Sequence, residues 1–120
     1  MKRPGFLLSI LFAAALSACG VETCSLVLIY GLNVTVVDDV SGRELCSADV
    51  TAVDGSYTEP LTTFTSTAPC AYVGAGERAG TYEIRVEAAG YQPRTITDVE
   101  VDEDSCHVKA QTVEVRLQPN

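Results

Sequence analysis

The chain has no Trp, one His, and only 8 Lys and Arg against 16 Asp and Glu in 120 residues. Each shortage excludes something. A net charge of −8 excludes nucleic acid as a partner, because neutralising phosphates takes clustered basic side chains. A single histidine cannot build a His-rich metal site, and Val108-Lys109-Ala110 after it lacks the acidic residue of an H-x-x-E zinc pair. No G-x-S-x-G nucleophile elbow, EF-hand loop or C-x-x-C pair is present. No apolar run reaches the roughly 20 residues that span a bilayer. Internal repeats, low-complexity blocks and a convincing helical face are also missing. No cofactor is therefore expected.

What is present begins with an address. Lys2 and Arg3 precede an apolar stretch from Phe6 to Leu16, and small residues follow, which is the anatomy of a secretory signal over residues 1–18. Removing it takes two basic residues away and leaves a net charge of about −10. The stretch ends in Leu16-Ser17-Ala18-Cys19, which resembles the lipobox of bacterial lipoproteins. The spacing has a chemical reason: a thioether to diacylglycerol needs a sulfur nucleophile, and small side chains let a membrane-embedded peptidase reach the bond before Cys19. The resemblance implies lipidation of Cys19 and a membrane partner held by two or three acyl chains, a stable anchor where a single chain is marginal. Gly20 stands where an Asp would favour inner-membrane retention, so the implied location is the cell envelope, at the outer membrane. Residues 19–25 are then a short tether, and 26–120 the folded domain.

Four cysteines remain: Cys24, Cys46, Cys70 and Cys106. Even parity in a short exported chain reads as two disulfides, with three connectivities open. The expected one joins Cys46 to Cys70 across an irregular Thr-rich segment, and Cys24, before the first strand, to Cys106 at the start of the last.

From Ser25 onward, period-2 alternation and turn signals at intervals of about ten residues predict an antiparallel all-β domain. Strands are expected around Leu32–Val37, Ala48–Val53, part of Ser56–Ala68, Cys70–Val73, Tyr82–Ala88, Arg94–Val101 and Cys106–Leu117. Turns fall at Asp38-Asp39-Val40-Ser41-Gly42, Asp54-Gly55 and Asp102-Glu103-Asp104, with a loop from Gly74-Ala75-Gly76 to Gly80. About seven short strands in 100 residues predict a single seven-stranded β-sandwich of Greek-key type.

The run Gly80-Thr81-Tyr82-Glu83-Ile84-Arg85-Val86-Glu87-Ala88-Ala89-Gly90-Tyr91, with Val99-Glu100-Val101 after it, resembles the carboxypeptidase regulatory-like domain. That family's pattern runs G-x-Y-x-[LIV]-x-V-x-A-x-G-Y before an outer V-x-V strand. Val36-Val37-Asp38, Ser41-Gly42, Ala48-Asp49-Val50 and Asp54-Gly55 fall where the family has V-x-D, G, A-x-V and D-G. The resemblance implies a transthyretin-like sandwich without catalytic residues. On physical grounds Gly90 supplies a positive φ that ends the strand, and Tyr91 is expected to bury its ring while its hydroxyl caps a backbone group.

Other residues are weaker candidates. His107 is read as a hydrogen-bonded strand histidine and not as a catalyst. Asp98, Asp102 and Asp104 form a weak Ca²⁺ candidate, against the simpler reading of a solvated acidic edge. Glu77-Arg78 is read as a surface ion pair. Tyr30, Tyr57 and Tyr72 are the candidate aromatic platforms for a glycan, so few that an unknown envelope protein is favoured as partner over a glycan. The expected function is a non-enzymatic, lipid-anchored cell-envelope module for protein or glycan interaction or scaffolding. The alternative is a small envelope hydrolase or Ca²⁺-binding module on the same fold.

Overall fold

The computed structural model describes residues 23–120. The signal segment 1–18 and Cys19 lie outside the described residues. Seven strands follow in order: β1 Tyr30–Asp38, β2 Asp49–Asp54, β3 Tyr57–Pro60, β4 Tyr72–Gly76, β5 Gly80–Glu87, β6 Arg94–Val101 and β7 Gln111–Leu117. They form two sheets, β4-β1-β7 and β3-β2-β5-β6, and the described residues contain no helix.

Alternation places the core. Leu32, Val34 and Val36 of β1, Val50 and Ala52 of β2, Tyr82, Ile84 and Val86 of β5, and Val115 and Leu117 of β7 are all buried between the sheets. Most of their sequence neighbours are more exposed, as a period of two requires, Gly31 and Val37 being the buried exceptions in β1. The clearest pattern in the sequence, Tyr82 to Val86, is the central strand of the larger sheet, paired on both sides with β2 and β6.

Turn chemistry fixes the register. Asp38 Oδ1 accepts the N–H groups of Val40 at 2.7 Å and Ser41 at 2.9 Å, and Gly42 follows at φ 73°. Asp54 pairs with Tyr57 across Gly55-Ser56, and Gly55 at φ 59° takes the first central position, which suits glycine.

Three expectations need correction. The pairing is not antiparallel throughout: β7 lies parallel to β1, with Leu32 opposite Gln111 and Asp38 opposite Leu117. The chain crosses from β6 to the other sheet and returns along the free edge of β1 in the same direction. The strand β4 does not stop at Val73. It runs on through Gly74 and Gly76, which pair with Leu32 and Tyr30. A side chain at Gly74 would run into Glu59 and Leu61, so glycine is what permits the close approach. The last strand begins at Gln111, not Cys106. Asp104 Oδ1 takes the N–H groups of Cys106 at 2.8 Å and His107 at 2.9 Å, which removes both as ladder donors.

Two disulfides brace the sandwich. Cys46 joins Cys70 at a Cα separation of 5.5 Å, and Cys24 joins Cys106 at 5.1 Å. Beside Cys46, the buried Tyr72 donates its hydroxyl to Leu45 O at 2.8 Å and accepts from Ala48 N at 2.9 Å. It therefore clamps the loop between β1 and β2 from both sides of the cystine.

Candidate functional site

Two regions outside the core gather chemistry, one at the end of the sandwich where the chain enters and one along an edge.

At the entry end, β4 finishes in a left-handed turn, with Ala75 and Glu77 both at φ 51°. That conformation costs a residue with a β-carbon about 1–2 kcal/mol. It aims the Glu77 carboxylate across the gap to the β6–β7 loop. There Oε1 accepts Ile29 N–H at 2.9 Å and meets His107 Nδ1 at 2.6 Å, while Oε2 accepts Val108 N–H at 3.3 Å. The Ile29 amide, followed by His107, holds the carboxyl below its ordinary value, against a partial loss of solvation. A carboxylate can only accept, so Nδ1 donates and Nε2 meets Ser25 Oγ at 3.0 Å.

Ser25, His107 and Glu77 thus hold the hydrogen-bond order of a nucleophile, base and orienting acid, which the sequence did not reveal because 82 residues separate the serine from the histidine. The nearby backbone N–H groups of Ile29, Cys106, His107 and Val108 all donate to Glu77 or Asp104, so none of them is left for an oxyanion. What the three residues do is fasten the arm 24–29 to the sandwich, together with the Cys24–Cys106 bridge.

The pairing expected between Glu77 and Arg78 does not form. Successive residues point apart, and Arg78 leaves on the other side. Its Nη1 donates to Asp54 Oδ2 at 3.0 Å and Tyr82 Oη at 2.9 Å, and its guanidinium lies 3.7 Å from the centre of the Tyr57 ring. Tyr57 is consequently covered by a cation, and Tyr72 is buried, so two of the three expected platforms are unavailable.

The acidic candidates are dispersed. Asp98 sits at φ 59° in a bulge of β6, where two residues face Glu83 alone. Asp104 is occupied by its two backbone donors, which hold its pKa down. Glu100 shares a hydrogen bond with Asp102 that raises its own pKa. Among the described residues no three metal-ligating side chains converge.

The second region is a groove of about 510 Å³ between the two edge strands, β3 and β4. Tyr30, Thr62, Val73 and Phe64 surround it, and the side chains of Glu59 and Leu28 lie over Gly74 and Gly76 of β4. Phe64 is 78% exposed. Glu59 lies alongside, with one oxygen accepting Tyr57 Oη and the other Ala75 N–H, both at 2.7 Å. Each oxygen keeps a further lone pair for a donor. Sequence reasoning kept Tyr30 but missed Phe64. The signal was there: an aromatic among threonines, Thr62-Thr63-Phe64-Thr65, has no alternating apolar neighbours to share burial with.

The carboxypeptidase regulatory-like domain model matches residues 31–118. The chain belongs to that family. The regulatory-like domain thus begins within β1 and closes just after β7, leaving the arm 24–29 outside it. No curated protein matches the chain. Among solved structures, one similar chain is described as a "putative carbohydrate binding protein from Bacteroides uniformis", with a TM-score of 0.50 and 15% identity. The match covers 73% of this chain and 40% of that one, and at that identity it speaks for the fold alone. The regulatory-like motif residues are structural. Gly90 turns the chain at φ 85°, and Tyr91 donates its hydroxyl to Asp38 Oδ2 at 2.7 Å, a side chain where a backbone group was expected.

Proposed function

We propose that the chain is a non-enzymatic, lipid-anchored module of the cell envelope that binds glycan in the groove between β3 and β4. The observation that carries this reading is the juxtaposition of Tyr30 and exposed Phe64 with the Glu59 carboxylate along one open groove. An aromatic face suits the apolar face of a sugar ring, and Glu59, seated over Gly74, offers acceptors to its hydroxyls. Exposed Phe64 adds an aromatic platform beyond Tyr30, Tyr57 and Tyr72, and it moves the preference from a protein partner to glycan. The neighbour described as carbohydrate binding is compatible with this choice.

The anchor half of the proposal rests on Leu16-Ser17-Ala18-Cys19. Radioactive fatty acid is expected to label the wild-type protein, and Cys19→Ser to abolish the label and release the protein or leave it unprocessed. An unlabelled wild type would remove the anchor. The binding half is tested by native electrophoresis through gels containing soluble polysaccharides. Retardation by at least one polysaccharide, lost in Phe64→Ala, is expected. Mobility unchanged in every gel would contradict it.

A further inference from the structure

Leu26, Val27 and Leu28 are three consecutive apolar residues that the fold leaves in solvent, at 104%, 62% and 56% exposure. A short apolar run on a loose terminus would mean little. This one is held at both ends. On one side Cys24 is bonded to Cys106 and Ser25 to His107, and on the other Ile29 donates its N–H to Glu77 and accepts that of Glu77 in return at 2.9 Å. The three side chains therefore crown an arch whose ends are fixed, so little ordering remains to be done when they meet a surface.

We propose that this arch is a lipid-contacting ridge, seating the sandwich end-on at the bilayer that holds Cys19. The inference rests on the lipid anchoring proposed above. Five residue steps separate Cys19 from Cys24, and an extended chain covers at most about 3.5 Å per step, so the bridged end of the domain can stand no more than about 18 Å from the Cα of the acylated cysteine. The arch begins two residues further on, within reach of the interface. The contact is apolar and not electrostatic. Among the described residues, Glu77, Glu103 and Asp104 line the hollow beside the ridge and no Lys or Arg does, which argues against the basic-patch mode of binding anionic headgroups.

The orientation has a consequence for the groove. Leu28 leans over Gly76, where a β-carbon would meet it at 3.3 Å, so the ridge borders one end of the glycan groove. A seated domain would present that groove beside the membrane surface.

The absence of Trp makes the test direct, because Val27→Trp and Val40→Trp each give the full chain a single indole. Val40 is 80% exposed in the β1–β2 turn, at the opposite end of β1. Both positions are exposed, so neither change threatens folding. Each lipidated variant is reconstituted in phosphatidylethanolamine and phosphatidylglycerol vesicles with and without brominated phosphatidylcholine. Bromine quenching at position 27 is expected to exceed that at position 40 by about threefold or more, and to fall when Leu26→Asn and Leu28→Asn are added. Equal quenching at both positions in a protein whose mass shows an acylated Cys19 would overturn the ridge. A mass without acyl chains would instead overturn the anchor. A lipid-independent blue shift at position 27 that grows with protein concentration would assign the arch to a second copy of the chain, and so overturn the proposal.

Discussion

Tyr91 Oη donates to Asp38 Oδ2 across 53 residues of sequence, joining two positions of the regulatory-like pattern, the Tyr after Gly90 and the Asp closing β1. The same carboxylate holds Val40 and Ser41 through its other oxygen. One acidic group therefore sets the β1–β2 turn and ties the β5–β6 turn to it. The Ser41 amide, and next the Tyr91 hydroxyl, hold its pKa below the ordinary value. Tyr91→Phe is expected to raise the Asp38 pKa and lower the thermal midpoint by a few degrees. An NMR titration of the Asp38 carboxyl carbon measures the first effect and calorimetry the second. An unmoved Asp38 pKa would show that the bond is not maintained in solution.

Acid should loosen the entry end. Glu77 and Asp104 both have depressed pKa values, from backbone donors chiefly and from His107 second for Glu77. A carboxyl with a lowered folded pKa stabilises the fold fully above its unfolded value, here above about pH 5, and that stabilisation is lost as the pH falls below about 4. Amide hydrogen exchange over residues 24–29 is expected to accelerate between pH 5 and 3, apart from the intrinsic pH effect, while the β5 amides stay protected. Glu77→Gln, which carries no charge to lose, should already exchange faster at pH 6 and change less on acidification. Protection of the arm that is unaltered by Glu77→Gln would refute the latch.

The Cys46–Cys70 bridge closes a loop of 24 residues. On the chain-entropy model its removal by Cys46→Ala with Cys70→Ala should cost about 3 kcal/mol, with Cys70 buried and its partner loop still clamped by Tyr72. Urea unfolding measures this. A loss below about 1 kcal/mol would mean that the Tyr72 clamp alone fixes that loop.

Alternation made most of this fold readable. Wherever one face is buried, as in Tyr82 to Val86, period-2 patterning marks both the strand and its inner face, and Asp54-Gly55 and Gly90 mark their turns through φ requirements local to the residue. The parallel β1–β7 pair was not readable, because the direction of a neighbour is a property of the crossover and leaves no mark on either strand. The extension of β4 through Gly74 and Gly76 was hidden for a related reason: two glycines read as a loop unless the side chains of Glu59 and Leu61 are known to occupy the vacated space. Glu77 and Arg78 looked like partners by adjacency, yet each found its own partner far away in sequence, His107 for one and Asp54 for the other. The groove depended on which aromatics stayed uncovered, and Phe64 did so because its threonine-rich segment offers nothing to cover it.

Hydrogen-bond order alone does not make Ser25 a nucleophile. With the surrounding backbone donors committed to Glu77 and Asp104, a fluorophosphonate probe is expected to leave Ser25 unmodified, and p-nitrophenyl acetate to hydrolyse no faster with wild type than with Ser25→Ala. Mass spectrometry of the probe-treated protein reads the outcome. A stoichiometric adduct on Ser25, lost in His107→Ala, would establish the envelope hydrolase in place of the binding module.

The most direct test of the central claim is a ¹⁵N-resolved NMR titration of the full chain with oligosaccharides cut from whichever polysaccharide retards it. Saturable shifts are predicted at the amides of Tyr30, Thr62, Phe64, Gly74 and Gly76, with Phe64→Ala weakening the apparent affinity by about tenfold, as expected for an aromatic anchor at the centre of a binding patch. Saturable shifts centred instead on Ser25, His107 and Asp104, or none at millimolar oligosaccharide, would contradict a glycan site between β3 and β4.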